Sequence, residues 1–405
     1  MRSNTFVKPS SPLYIVLFTV FLDLLGFGIL IPLLPYVALE YNASESQVGY
    51  LMASYSIAQF LFAPLWGRLS DRFGRRPILL ISIAGAATGY LIFALSTTLT
   101  GLFISRIMAG VAAANISTAS AVVADIMPPE KRTSGMGMIG AAIGMGFVFG
   151  PGLAGLLVGE DNFTLPFLAA AGLSSINFII ALFFLPETLN KAEPASRARR
   201  VSRNTLSSAL SHPIIVCLLS ISLLYYISFS CMESTFALFV LEQYGIGPRH
   251  NAYLLLLVGV IMVIVQGGIV GRLARLIGDQ TVLVLGIIGL LGGLQLIGIS
   301  SDFPVFMAGL VMLSVSAGFA GPSMTSLLSQ RSAQSIQGGV LGLNQSMASL
   351  GRILGPLMGP YLFEFSGPRV PFYAAAALVG VALLILLPAV FYSTQTARPQ
   401  PETSE

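Results

Sequence analysis

One pattern runs from end to end of this chain and constrains its fold more than any single residue does. Apolar runs of about 20 residues or more recur, each closed by a short polar or basic connection. A run of that length spans the ~30 Å hydrocarbon core of a bilayer as an α-helix, the geometry in which every backbone polar group is satisfied internally. The runs predict helices at 13–39, 47–67, 77–96, 99–125, 134–158, 164–186, 213–242, 251–272, 280–300, 304–328, 338–363 and 370–392. Composition agrees: 55% of residues are hydrophobic and 9% charged, too few charges to build a water-soluble surface. Soluble enzymes and nucleic-acid binders are thereby excluded. The expected fold is an all-α membrane protein, with twelve transmembrane helices in two pseudo-symmetric six-helix bundles and the lipid bilayer as its surroundings.

Charge placement orients the bundle. With the N-terminus on the cytoplasmic side, seventeen of the 21 Lys and Arg residues fall in cytoplasmic segments: Arg2, Lys8, Arg68, Arg72, Arg75, Arg76, Lys131, Arg132, Lys191, Arg197, Arg199, Arg200, Arg203, Arg272, Arg275, Arg331 and Arg398. Only Arg249 and Arg369 fall in outer loops, so both termini are expected in the cytoplasm. The first run starts near Leu13 without a signal-peptide cleavage site and reads as a retained helix. The expected organisation is a cytoplasmic tail at 1–12, a bundle at 13–186, a cytoplasmic linker at 187–212, a second bundle at 213–392 and a tail at 393–405. Two echoes support a duplicated unit: the run Gly67 to Gly74 aligns with Gly271 to Gly278, and Gly150-Pro151 aligns with Gly355-Pro356. Cys217 and Cys231 share one span at a spacing that forbids a disulfide.

Ionisable residues inside the runs are few. They are Asp23, Arg106, Glu233 and Arg352. A charge at membrane depth costs a few kcal/mol even on lenient insertion scales, so such a residue faces protein or a water-filled cavity. Desolvation lets a carboxyl group there exchange a proton near neutral pH, which makes Asp23 and Glu233 the two candidates for proton coupling. Arg106 can tune a neighbouring acid. Arg352 either binds an anionic substrate group or neutralises an acid. Polar side chains suited to a cavity wall are Tyr55, Gln59, Asn115, Tyr226, Gln266, Asn344 and Gln345, and the interspersed rings suit a lipophilic cargo. The fifth run carries Gly140, Gly144, Gly146, Gly150, Gly152 and Gly155 with Pro151; the Gly140/Gly144 spacing predicts a smooth stripe for close helix approach and the proline a kink. His212 and His250 lie at opposite predicted membrane faces, and no Gly-Lys-Ser/Thr phosphate loop occurs. No enzyme site, metal site or cofactor is expected, and a proton gradient rather than ATP is the expected driving force.

The segment Gly67-Arg-Leu-Ser-Asp-Arg-Phe-Gly-Arg-Arg76 resembles the cytoplasmic loop motif of the major facilitator superfamily. Arg106 to Gly110 resembles its buried-arginine motif, and Gly140 to Gly155 the motif of its proton-coupled exporters. Leu22 to Pro35 is similar to the first span of twelve-helix tetracycline and multidrug proton antiporters. The resemblance implies a latch built from Gly67, Asp71, Arg72, Gly74, Arg75, Arg76 and Asp125, in which Arg75 pairs with Asp125 and Asp71 meets a helix end of the second half. It also implies a monomeric, multi-pass protein of a bacterial inner membrane that exports a small lipophilic or cationic, drug-like compound in exchange for protons. Two other readings stay open: uptake of a small metabolite such as a sugar, and a transport-inactive receptor or scaffold.

Overall fold

The computed structural model describes residues 11–113, 115–128, 131–159, 162–189, 211–333 and 336–396. Within them the chain is helical and without strands. The helices are α1 (Ser11–Glu40), α2 (Glu45–Phe73), α3 (Arg75–Leu95), α4 (Leu99–Ala112), α5 (Asn115–Ile126), α6 (Arg132–Leu157), α7 (Thr164–Phe184), α8 (Pro213–Tyr244) and α9 (Pro248–Ile264). They continue as α10 (Val270–Ile277), α11 (Asp279–Ile299), α12 (Phe303–Arg331), α13 (Gln337–Ser366) and α14 (Val370–Thr396). Pairing α4 with α5, and α9 with α10, gives twelve spans among the described residues. Eleven are long and apolar enough to cross a membrane; α13 is not among them, diluted by Asn344, Gln345, Arg352 and its glycines.

Three expectations about the spans need correction. The second span does not stop at residue 67 but continues as helix to Phe73, so the Gly67 to Arg76 segment is a helix end, one turning residue and the next helix start. The fourth span, Leu99–Ile126, is interrupted at Ala113, whose φ −72° and ψ +72° leave the helical region; residue 114 lies outside the described residues. The eighth runs to Ile277 through a π-turn at Val265–Ile269, which contains the Gly267-Gly268 pair. Hydropathy registers none of these features, because it is blind to which carbonyl a given N–H bonds. The predicted tails and the linker lie largely at 1–10, 190–210 and 397–405, outside the described residues, together with Arg2, Lys8, Lys191, Arg197, Arg199, Arg200, Arg203 and Arg398.

The chain divides into two compact units, Met1–Ala195 with Val240–Gly259, and Ser196–Phe239 with Val260–Glu405. In the first, α1 lies along α6 and α7, while α3 packs between α4 and α7. A buried Thr19 Oγ1 donates to Asn177 Oδ1 at 3.1 Å, tying α1 to α7. The segment Val240–Gly259 groups with this unit through apolar packing, with Ala252 in its core, and through two polar ties. Asn251 Nδ2 donates to Pro32 O and Arg249 Nη2 to Val158 O, each at 2.9 Å, the second capping the C-terminal end of α6. In the second unit α11 packs against α12 and α14. Cys217 and Cys231 are both free thiols.

Candidate functional site

The acid Asp23 sits near the middle of α1, deep among protein atoms yet with a partly accessible surface. Its partner is the side-chain amide of Asn115, which donates to the carboxylate from the first residue of α5. Asn115 follows the interruption of the fourth span at Ala113. Ending a helix at membrane depth leaves carbonyls without partners, and in lipid each would cost several kcal/mol. Here donors from neighbouring helices satisfy them: the Trp66 indole Nε1 of α2 donates to Val111 O, and Ser82 Oγ of α3 to Ala112 O. The single tryptophan of the chain thus bonds a carbonyl at the interruption between Arg106 and Asn115.

Arg106 lies on the other side of that break, fully buried. Three rings surround its guanidinium carbon, Phe93 at 5.3 Å and Tyr55 and Tyr90 at 5.8 Å from their centroids. Desolvated cation–π contacts of this kind are each worth about 1–2 kcal/mol. They do not replace hydrogen bonds, and Arg106 Nε and Nη2 have no partner among the described residues. Tyr90 interacts electrostatically with both Asp23 and Arg106. Tyr55 also packs on Phe27 at 5.3 Å, and Phe27 on Phe147 at 5.9 Å, so the cluster grades from charge to a purely aromatic wall. Gln59, one turn beyond Tyr55, is half-buried.

A second cluster closes the basic end of the same unit. Arg75 Nη1 bonds Asp71 Oδ1 at 2.6 Å and Ser70 Oγ at 3.1 Å, while Nε bonds Asp125 Oδ2 at 3.0 Å. One guanidinium therefore joins the ends of α2, α3 and α5. Among the described residues these two carboxylates make the ion pairs within 4 Å. Asp71 is bonded to Arg75 on the next helix. Arg72 covers the Phe73 ring at 5.3 Å, and Arg76 Nη2 donates to Leu182 O at 2.6 Å near the end of α7. Gly67 is an ordinary helical position where an added Cβ would meet nothing within 4 Å, so the turn depends on Gly74 alone.

Gly74 has φ +114° and ψ +161°, a conformation essentially reserved for glycine. The Glu187 carboxylate occupies the place where its side chain would stand. From there Glu187 accepts the first two N–H groups of α3, from Arg75 at 2.9 Å and Arg76 at 3.2 Å, besides those of Thr188 and Leu189 at 3.0 Å each. Burial pushes its carboxyl up, but the four backbone N–H groups outweigh that and hold it below the ordinary range. An acid just past the sixth span thus caps the third.

In α6 the close approach falls at glycines other than the expected pair. A Cβ at Gly140 or Gly144 would meet nothing within 4 Å, whereas one at Gly150 would stand 2.6 Å from Gly28 Cα and one at Gly146 2.6 Å from Leu24 Cβ. The stripe that brings α6 onto α1 is Gly146/Gly150, four residues apart and beside Pro151. Gly155 faces the Tyr253 ring.

In the second unit, Glu233 lies 20 residues from the first residue of α8, Pro213, about 30 Å along its axis, and keeps a partly accessible surface. Arg352, midway along α13, interacts electrostatically with both Glu233 and Tyr226. Asn344 is buried and accepts from Ser222 Oγ. Gln345 is exposed, and Gln266 lines a separate polar groove of about 320 Å³ with Gly271, Arg272 and Arg275. The structure therefore gathers Asp23, Arg106, Asn115 and Tyr55 in one unit and Glu233, Arg352 and Tyr226 in the other, and leaves Gln266 apart.

A family model described as Major Facilitator Superfamily matches residues 16–291 and 267–405. The chain belongs to the major facilitator superfamily. Relatives of this facilitator include the class E tetracycline resistance protein of Escherichia coli, 30% identical over 91% of each chain. Multidrug resistance protein 2 of Bacillus subtilis (strain 168) is 30% identical over 91% of this chain and 92% of its own. Among solved structures, the human organic anion transporter MFSD10 (TETRAN) is 25% identical with a TM-score of 0.71, covering 94% of this chain and 100% of that one. The facilitator is a multi-pass membrane transporter of small molecules and not an enzyme.

Four residues that matter in this facilitator do not stand out in its sequence. Tyr90 and Phe93 share one face of α3 at a spacing of three, a signal that does not say which helix they face. Trp66 carries the signal of being the single tryptophan, close to a motif. Glu187 falls in the expected linker, and nothing local marks it as a cap for a helix 112 residues earlier.

Proposed function

We propose that this facilitator exports a small lipophilic or cationic, drug-like compound in exchange for protons by alternating access. In this reading it works as a monomer in a bacterial inner membrane with both termini cytoplasmic, driven by the proton gradient and needing no cofactor. The observation that carries it is a membrane-depth acid and a buried, under-bonded cation in one unit, each interacting with Tyr90. Asp23 is held by Asn115, and Arg106, which interacts with Tyr90, has two nitrogens without a partner among the described residues. An acid there loads a proton when the path is open to one side, and the nearby guanidinium favours its release when their separation shortens. Glu233, with Arg352 near it, is the second exchange position. The aromatic wall of Phe27, Tyr55 and Phe147 supports a lipophilic cargo. The names of the tetracycline and multidrug resistance relatives, and of the organic anion transporter, support an organic one.

Inside-out vesicles energised with an acid-interior gradient test the coupling. Addition of a transported dye or drug is expected to dissipate the gradient in vesicles that contain the protein and not in control vesicles. Transport that leaves the gradient untouched sinks the antiport reading.

A further inference from the structure

The two units present the same close helix pairing with one chemically decisive exchange. In the first, Gly146 and Gly150 of α6 meet Leu24, Leu25 and Gly28 of α1. In the second, Gly351 and Gly355 of α13 meet Tyr226, Ser230 and Cys231 of α8, with Gly359 against Cys231 and Thr235. These glycines correspond at the spacing that relates Gly150-Pro151 to Gly355-Pro356, so the residue after each first glycine corresponds too: Phe147 in the first unit, Arg352 in the second. Phe147 closes an aromatic cluster. Its counterpart puts a permanent cation beside rings: Tyr226 is near enough to feel the charge, and Tyr225 packs on Tyr226 at 5.1 Å and on Phe229 at 6.2 Å.

A guanidinium at membrane depth costs a few kcal/mol and needs compensation. Arg352 has little from its own unit. Its five N–H donors make one hydrogen bond among the described residues, Nη2 to Ser349 Oγ at 3.2 Å. Glu233 feels its charge, yet the two do not form an ion pair within 4 Å. The side chain is partly accessible, unlike Arg106, which is sealed behind three rings. A planar fork with most of its donors unbonded among the described residues, near the Tyr226 ring and the ring series that continues from it, matches a carboxylate on an aromatic body in both charge and shape.

We infer that Arg352, with Tyr225, Tyr226 and Phe229, forms a binding place for an aromatic compound carrying an anionic group, with Glu233 as the internal counter-charge when that place is empty. This deepens the exporter reading and rests on it for the idea of an organic cargo; a compound that carries a cationic group as well remains compatible with it. The recognition chemistry lies wholly within the second unit, so it is testable at equilibrium without flux.

The purified full-length protein in detergent is titrated with naphthoate, its neutral isostere naphthamide and the cation naphthylmethylammonium. Naphthoate is expected to bind about tenfold more tightly than naphthamide. Arg352→Gln is expected to abolish that ratio, Arg352→Lys to keep part of it, and Glu233→Gln to tighten naphthoate by removing its competitor. Equal binding of acid and amide, a preference for the ammonium, no naphthoate binding, or a ratio that survives Arg352→Gln overturns the inference. The first two variants guard against misfolding, because Arg352→Lys keeps the charge while Arg352→Gln is compared through a ratio. Proton-driven export that persists without any carboxylate preference overturns this inference and leaves the exporter reading standing.

Discussion

Replacing Gly74 by alanine removes no contact and adds one carbon, yet two costs follow from where that carbon must go. The backbone at φ +114°, ψ +161° is open to glycine and strained for any L side chain, by about 1–3 kcal/mol. The new methyl also claims the space of the Glu187 carboxylate, so the bonds to Arg75 N and Arg76 N are lost. Loss of a helix cap costs about 0.5–2 kcal/mol, giving a total of about 1.5–5 kcal/mol for Gly74→Ala. Glu187→Ala alone should cost about 0.5–2 kcal/mol. In the double variant the cap is already gone, so only the strain remains and the two single effects do not add. Equilibrium unfolding of the purified protein by SDS in mixed micelles measures all three against the parent. A double variant that loses the full sum of the single losses refutes the idea that Gly74 is glycine for the sake of Glu187.

The glycines of α6 give a contrast within one helix: Gly150→Ala should destabilise by about 1–3 kcal/mol, because its Cβ meets the Gly28 backbone. Gly140→Ala should be neutral or stabilising by up to about 1 kcal/mol, and the same unfolding assay separates them. The cap formed by Glu187 is pH-dependent with a definite sign. Its carboxyl is depressed in the folded protein, so its contribution is fully present above the unfolded value near ~4.3 and is lost as pH falls through the lower folded value. Glu187→Gln should remove that part of the acid sensitivity, read as a flatter stability profile below about pH 4.3. Arg106→Lys replaces a plane stacked among three rings by a compact ammonium. It should leave the protein folded and shift the pH profile of efflux, and an unchanged profile argues against its tuning role.

What is legible in the sequence follows from what kind of interaction each feature uses. Twelve spans can be read because each is a local composition, and even for α13, the least apolar, the expected bounds agree within three residues at either end. The split of the fourth span is not legible, since it depends on Trp66 and Ser82 arriving from two other helices to satisfy Val111 and Ala112. Asp23 and Arg106 stand out because charge in an apolar run is rare. Their surroundings do not, because Asn115, Tyr90 and Phe93 are ordinary residues for a span and gain meaning only from the neighbours they face. The expected glycine stripe lies six residues, nearly two turns, too early for a similar reason. Gly140 and Gly144 have the same spacing as Gly146 and Gly150, and only the position of α1 decides which pair is packed.

The central claim is that proton exchange at Asp23 drives export. Reconstituted protein carrying Asp23→Asn, which keeps the size of the side chain and its contact with Asn115, tests it most directly. Two fluxes are measured in the same proteoliposomes: gradient-driven accumulation of a transported dye, and exchange of labelled for unlabelled dye without a gradient. The account predicts that accumulation disappears while exchange persists. Gradient-driven accumulation at the parent rate in Asp23→Asn contradicts it.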